Sequence, residues 1–242
     1  VQIGKEWCAE RAILFFCVVL QHKSMLSFFM QNHSEVSRQV AAHLLNIEAI
    51  RLRPEQPFQW SSGWKSPIYC DNRLSLSYPE VRTYIKTALA DAIREKFPAA
   101  EIIAGVATAG IAQGALVADL LHLPYAYVRP EPKKHGMGNQ IEGRILPGQK
   151  VVVIEDLIST GGSSLKVVDV LREMGAEVLG MAAIFTYGFH LADENFKQKN
   201  VQLVCLSDYQ CMIIEALKLD YISEDQLTAL AQWREDPGSW GV

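Results

Sequence analysis

Val151-Val152-Val153-Ile154-Glu155-Asp156-Leu157-Ile158-Ser159-Thr160-Gly161-Gly162-Ser163-Ser164 is the stretch around which the rest of the chain can be organised. Its run of β-branched residues predicts a buried strand over Lys150–Ile154. Two acids follow, then small residues, then a helix predicted from Ser163 to Met174 with Gly175 at its C′ position. Such a strand delivers the acids to the carboxyl edge of a sheet. The small residues turn the chain tightly, so that backbone N–H groups, the helix dipole and the hydroxyls of Ser159, Thr160 and Ser163 form a phosphate cradle. Carboxylates do not bind that phosphate; their natural partners are hydroxyls, such as a ribose 2′,3′-diol, or a metal's hydration shell. The local chemistry therefore points to a sugar phosphate with a free diol. The loop is not a Walker loop and lacks GxGxxG. A plain capped strand-to-helix turn would have no use for the acid pair.

Upstream, Ile102–Val106 predicts a second buried strand leading into the small-residue turn Ala107-Thr108-Ala109-Gly110 and a helix through Asp119. Such a turn suits close backbone approach to pyrophosphate, although it also suits any tight βα connection. Pro124–Val128 predicts a strand, and 130–148, rich in proline and glycine, an exposed mobile loop. Further upstream, Ser34 caps a helix whose stripe is Val36, Val40, Leu44, Leu45 and Ile47, running to Ile50 and ended by Pro54 and Pro57. Phe58–Leu76 reads as a small β-rich lobe containing Pro67-Ile68-Tyr69-Cys70. Pro79 starts a helix with the stripe Val81, Ile85, Leu89, Ile93 and Phe97. Downstream, Val178–Phe185 and Val201–Leu206 predict strands; Asp208–Leu219 and Ser223–Arg234 predict surface helices, the latter with a Ser-x-x-Gln capping box. The expected class is α/β: a mostly parallel, doubly wound sheet with its ligand site at the strands' carboxyl ends.

With 49% hydrophobic and 21% charged residues, the chain should bury a substantial core. A net charge of −4 argues against a general nucleic-acid or membrane-surface binder. The five cysteines are odd in number and lack zinc-type spacing, which suggests a reduced, cytoplasmic protein. Ala12–Leu20 is too short to span a bilayer as a helix and resembles a signal-peptide core only weakly. The expected organisation is an extension over 1–29, an N-terminal helix and hood over 30–78, and an α/β core over 79–242.

VVVIEDLISTGGSS resembles the phosphoribosyl-pyrophosphate (PRPP) motif of type I phosphoribosyltransferases, with hydrophobics, two acids, two hydrophobics and a Thr/Gly-rich turn. The resemblance implies that fold, with Glu155 and Asp156 on the ribose hydroxyls and Leu157, Ile158, Ser159, Thr160, Gly161, Gly162 and Ser163 around the 5-phosphate. Trp60-Ser61-Ser62-Gly63-Trp64-Lys65-Ser66-Pro67-Ile68-Tyr69-Cys70-Asp71 resembles the hood of orotate phosphoribosyltransferases, and Arg129-Pro130-Glu131-Pro132-Lys133-Lys134-His135-Gly136 resembles their catalytic loop. The likeness spans about residues 35–235 in the same order.

What the resemblance implies is transfer of a phosphoribosyl group from PRPP to orotate, giving orotidine 5′-monophosphate and pyrophosphate in pyrimidine biosynthesis. Arg129, Lys133, Lys134 and His135 would meet the pyrophosphate, with Lys133, His135 and Asp156 catalytic and Thr108 and Ala109 lining the pyrophosphate turn. Ser159, Lys65 and Tyr69 would contact orotate. Mg²⁺ would be held mainly through PRPP, without a protein metal cage, and loop 130–148 would act in trans across a homodimer. Several positions depart from the family pattern: Ser61, Ala109 and Pro130 stand where relatives have lysine, and Thr186-Tyr187-Gly188 where some have an arginine. Carboxylate recognition would then fall on hood backbone N–H groups, aided by Lys65 or Arg73. The rival readings are a purine phosphoribosyltransferase and a non-catalytic PRPP-sensing regulator on the same fold.

Overall fold

A computed structural model of the chain describes residues 33–60, 63–129, 131 and 140–240. The expected 1–29 extension, its apolar run and the residues Ser61, Ser62, Pro130, Lys133, Lys134 and His135 lie outside the described residues. The chain divides into two compact units. One takes the described residues up to Asp71 together with those from Gln210 onward; the other is Asn72–Tyr209. The C-terminal segment, expected with the α/β core, thus groups with the N-terminal part.

The first unit opens with helix α1 (Glu35–Asn46), capped by Ser34, whose hydroxyl accepts from the Ser37 amide at 3.1 Å. Val40, Leu44 and Leu45 are buried, but Val36 is exposed. The helix does not reach Ile50 as expected. Glu48 adopts φ 56, and strand β1 (Ile50–Leu52) pairs antiparallel with β4 (Ile68–Cys70). Between them, β2 (Phe58–Gln59) and β3 (Lys65–Ser66) form a short hairpin, so the expected β-rich lobe is present.

Helix α6 (Tyr209–Lys218) enters this unit at Gln210, and α7 (Leu227–Glu235) follows a 3₁₀ turn over Glu224–Gln226 that carries the expected Ser223–Gln226 capping box. Helix α6 is not the surface helix expected, whereas α7 is one, with Thr228, Gln232 and Glu235 exposed opposite its buried face. Cys211 through Ala216 are all buried, and Trp233 is fully so. Gln210, Glu215 and Lys218 give α6 the composition of a surface helix, but Glu215 is buried with its apolar neighbours.

In the second unit, a 3₁₀ turn (Asn72–Ser77) precedes α2 (Pro79–Lys96), whose expected stripe is buried along its length to Phe97. The sheet consists of β5 (Ile102–Val106), β6 (Tyr125–Val128), β7 (Ile141–Glu142), β8 (Lys150–Ile158), β9 (Glu177–Thr186) and β10 (Gln202–Asp208). Its order is β10-β9-β8-β5-β6-β7, parallel except for β7. Helices α3 (Ala109–Leu121), α4 (Gly162–Glu173) and α5 (His190–Gln198) connect the strands. The core is the apolar β5, β8 and β9 residues packed with Leu165, Val168 and Leu171 of α4.

Three elements depart from expectation. Strand β8 continues four residues beyond Ile154, because β9 keeps pairing with it to Ile158. Residues 141–142, expected in a loop, form the antiparallel edge strand β7. Helix α5 occupies a stretch for which no element is expected, and only Ala192 and Phe196, one turn apart, are buried on it.

Candidate functional site

The strand order places the site. From β5 the chain winds outward through β6 and β7, and from β8 it winds the opposite way through β9 and β10. The crevice between the carboxyl ends of β5 and β8 is therefore the switch point at which open α/β sheets bind ligands. Two segments border it: the turn after β5 and the acid pair with its loop after β8.

Glu155 and Asp156 lie within β8, not beyond it, so their side chains leave the backbone on opposite faces. Glu155 is buried; its Oε2 accepts from the Ser164 hydroxyl at 2.9 Å and its Oε1 from the Asp156 amide at 3.0 Å. Burial pushes the Glu155 carboxyl up to about 8, and the neighbouring Asp156 carboxylate pushes the same way. Asp156 is half-buried and is the more accessible acid of the pair. The two carboxylates are thus unequal ligands. Past Ile154, the last β8 residue paired with β5, the Asp156 carbonyl receives the Asn72 side-chain amide at 2.7 Å.

The cradle is held from below. The Ile158 carbonyl accepts from the Tyr187 amide at 3.1 Å and the Thr186 hydroxyl at 3.2 Å, and the Thr160 carbonyl accepts from the Asn195 amide at 2.9 Å. Gly161 turns the chain at φ 77, and a Cβ there would stand 2.6 Å from the Phe196 ring. Only glycine satisfies both demands. Helix α4 starts at the next residue, so its first N–H groups have no intrahelical acceptor. Ser159 and Thr160 are half-buried, and Gly162 and Ser163 exposed, at that helix end. Oriented amides, a helix N-terminus and hydroxyls together make an anion cradle.

Across the crevice, the turn after β5 leads directly into α3. The Ala107–Thr108 peptide bond is cis, Thr108 is exposed and Ala109 half-buried. Gly110 lets α3 sit against β8, since a Cβ there would lie 2.5 Å from the Ile154 carbonyl oxygen. Thr108 and Ala109 are therefore beside the strand that bears the acids. At the end of β6, the Arg129 amide donates to the Gln140 carbonyl at 2.8 Å, and its guanidinium lies 3.6 Å from Glu142 on β7.

In the first unit, Lys65 is exposed on β3, and Tyr69 is half-buried on β4. The Arg51 guanidinium lies 5.1 Å from the Tyr69 ring centre, and the Phe58 ring packs tilted at 5.6 Å. Tyr69 thus belongs to a cation–aromatic cluster. Sequence reading missed Asn72, Ser164 and Asn195. Ser164 extended a recognised motif, but Asn72 and Asn195 gain meaning only from partners distant in sequence.

Among the described residues, no cluster of three or more His, Cys, Asp or Glu side chains could hold a metal, and no helix is long and apolar enough to cross a membrane.

The family described as phosphoribosyl transferase domain matches residues 75–211. The orotate phosphoribosyltransferase of Cytophaga hutchinsonii is 60% identical over 204 residues, which is 84% of this chain and 98% of that one. That of Porphyromonas gingivalis is 56% identical over 203 residues, covering 84% and 97%. Among solved structures, the orotate phosphoribosyltransferase from Aeropyrum pernix matches with a TM-score of 0.66 and 31% identity, covering 76% of this chain and 99% of that one.

Proposed function

The chain belongs to the orotate phosphoribosyltransferase family, and from this we infer that it transfers the 5-phosphoribosyl group of PRPP to orotate. The products are orotidine 5′-monophosphate and pyrophosphate, a step of pyrimidine biosynthesis. The observation that carries this reading is the 60% identity to an orotate enzyme over nearly its whole length, and an acid pair followed by a helix N-terminus at the switch point supports it.

The reading gives each described residue a task. The Ser159–Ser163 loop holds the 5-phosphate through backbone amides and hydroxyls. Asp156 accepts from the ribose diol, with Glu155 behind it. Thr108 and Ala109 present backbone to the pyrophosphate, and Arg129 offers a guanidinium with several donors, of which Glu142 engages one edge. The C1–oxygen bond to pyrophosphate breaks and the orotate nitrogen bonds to C1. Positive character develops on the sugar while negative charge gathers on the leaving group. The protein's contribution is alignment and charge stabilisation.

Mg²⁺, when bound, neutralises pyrophosphate charge, and substrate oxygens with waters would provide most of its ligands. Lys133, Lys134 and His135 would close over the pyrophosphate, with Lys133 and His135 acting in trans across a homodimer. Lys65 and Tyr69 would read orotate, together with Ser159. Cytoplasmic location fits a biosynthetic transferase with an odd number of cysteines and no metal-type spacing.

Incubation with PRPP, Mg²⁺ and each nucleobase in turn tests the reaction. Orotate absorbance should fall. Turnover with adenine or hypoxanthine but not orotate would refute the assignment. Mixing inactive Lys133→Ala with inactive Asp156→Ala protein should restore activity through hybrid dimers; no recovery at all would exclude the trans arrangement.

A further inference from the structure

We propose that Asn72, Ser75 and Gln113 are positioning residues for PRPP, forming a buried hydrogen-bonded chain that ties the acid-bearing end of β8 to α3. The proposal rests on the reading of Asp156 as a ligand of the ribose diol.

The need for such a chain follows from unequal strand lengths. Strand β8 has nine residues and β5 has five, and their pairing ends at Gly105↔Ile154. Beyond that point β8 keeps a strand neighbour on the β9 side, with Glu155 opposite Ala183 and Leu157 opposite Phe185. A partly buried carbonyl left without a strand partner on the other side calls for a donor from elsewhere. The Asn72 amide supplies it at 2.7 Å, to the carbonyl of Asp156 itself. The peptide that carries the diol-binding carboxylate is thereby fixed.

Asn72 is itself fixed. The Ser75 hydroxyl donates to the Asn72 carbonyl at 2.6 Å and accepts from the Gln113 amide at 3.1 Å. The three residues are 1%, 0% and 2% exposed, so the two bonds made by Ser75 are shielded from water, and the Asn72–Asp156 bond is partly so. Gln113 stands one helical turn beyond Ala109 on α3, on the same face. The chain thus connects the helix that begins at the pyrophosphate turn to the strand that ends in the acids. Its function is to set the spacing between the two sides of the cradle, and a fixed spacing lowers the cost of binding a ligand that spans it.

The cost of this arrangement is visible at Gln113, whose buried Oε1 has no hydrogen-bond partner. An apolar residue of similar volume would avoid that penalty. The amide is explained by what its other end holds.

Steady-state kinetics of the full chain with PRPP, Mg²⁺ and orotate test the proposal. Asn72→Ala should raise the KM for PRPP roughly five- to tenfold, the equivalent of one lost hydrogen bond. The orotate KM and kcat should change by less than about threefold, since positioning through Asp156 acts on ribose binding. Gln113→Met, which keeps volume and removes the unpartnered oxygen, should shift the PRPP KM in the same direction by a smaller factor while melting no lower than wild type. In an Asp156→Asn background, Asn72→Ala should add less than about twofold, because the group it positions is altered.

A full multiplicative effect of Asn72→Ala in that background would overturn the proposal. So would an unchanged PRPP KM in either single variant with wild-type circular dichroism; if Asn72→Ala does not fold, Gln113→Met decides. An unchanged PRPP KM in Asp156→Asn alone would instead refute the diol reading.

Discussion

Replacing Gly161 by alanine imposes two separable penalties. Its φ of 77 lies in the left-handed region, where an L-residue loses roughly 1–2 kcal/mol relative to glycine. The added Cβ would also stand 2.6 Å from Cε2 and 3.1 Å from Cδ2 of Phe196, a ring only 4% exposed on α5. Overpacking of that kind costs about 1–3 kcal/mol. Reduced freedom of the unfolded chain returns about 0.4–1 kcal/mol. The net loss is roughly 1–4.5 kcal/mol, and at ~2–4 °C per kcal/mol for a chain of this size the melting temperature should fall by about 2–18 °C.

Adjacent Gly162 is the control. The nearest atom to a Cβ there is Thr160 Oγ1 at 3.9 Å and its φ is not positive, so Gly162→Ala should stay within about 0.5 kcal/mol of wild type. Phe196→Leu tests the cause: combined with Gly161→Ala it should recover the steric share and leave the backbone share, which a double-mutant cycle resolves. The PRPP KM of Gly161→Ala should rise at least about tenfold, since the loop's amides move with the clash. Equal losses at Gly161 and Gly162, or no coupling between Gly161 and Phe196, would refute this account of the cradle.

Glu155 predicts a pH signature. Its folded carboxyl is held near 8 against an ordinary 4.5, so the folded chain keeps a proton that the unfolded chain releases, and stability falls as pH rises through that interval. Glu155→Gln should flatten this slope in melting curves taken from pH 5 to 9; parallel curves for the two proteins would count against it. Ser164→Ala removes the hydroxyl that donates to Glu155 Oε2 and should destabilise the protein by about 1–2 kcal/mol in urea titrations at pH 8; wild-type stability there would show the bond to be inessential. Asn195→Ala releases the Thr160 carbonyl and should weaken PRPP binding about threefold to tenfold with the orotate KM unchanged; a change confined to orotate would contradict the placement of that residue beneath the phosphate loop.

Legibility in the sequence followed the range over which each signal acts. Strand β5 and helix α2 were readable to the residue or nearly so, because a short all-apolar run and a four-turn stripe each encode their own burial. Edge strand β7 was hidden among prolines and glycines, since two residues paired on one side make almost no pattern. Helix α6 was readable as a helix but not as a buried one.

The same distinction divides the site. The proposed phosphate loop is local chemistry: acids, glycines and hydroxyls are adjacent in the chain, and their spacing is the message. The side chains that hold it still are not adjacent. Asn72 acts on a carbonyl 84 residues away, Asn195 on one 35 residues away, and Gln113 on a hydroxyl 38 residues away. Asn72 and Asn195 have neighbours that suggest only a turn or a surface position, Gln113 sits in an apolar helical run, and each is defined by a carbonyl or hydroxyl far away in the chain. Where one strand outlasts its neighbour, the surplus carbonyls must find donors, and the residues that provide them become part of the site without appearing in its motif.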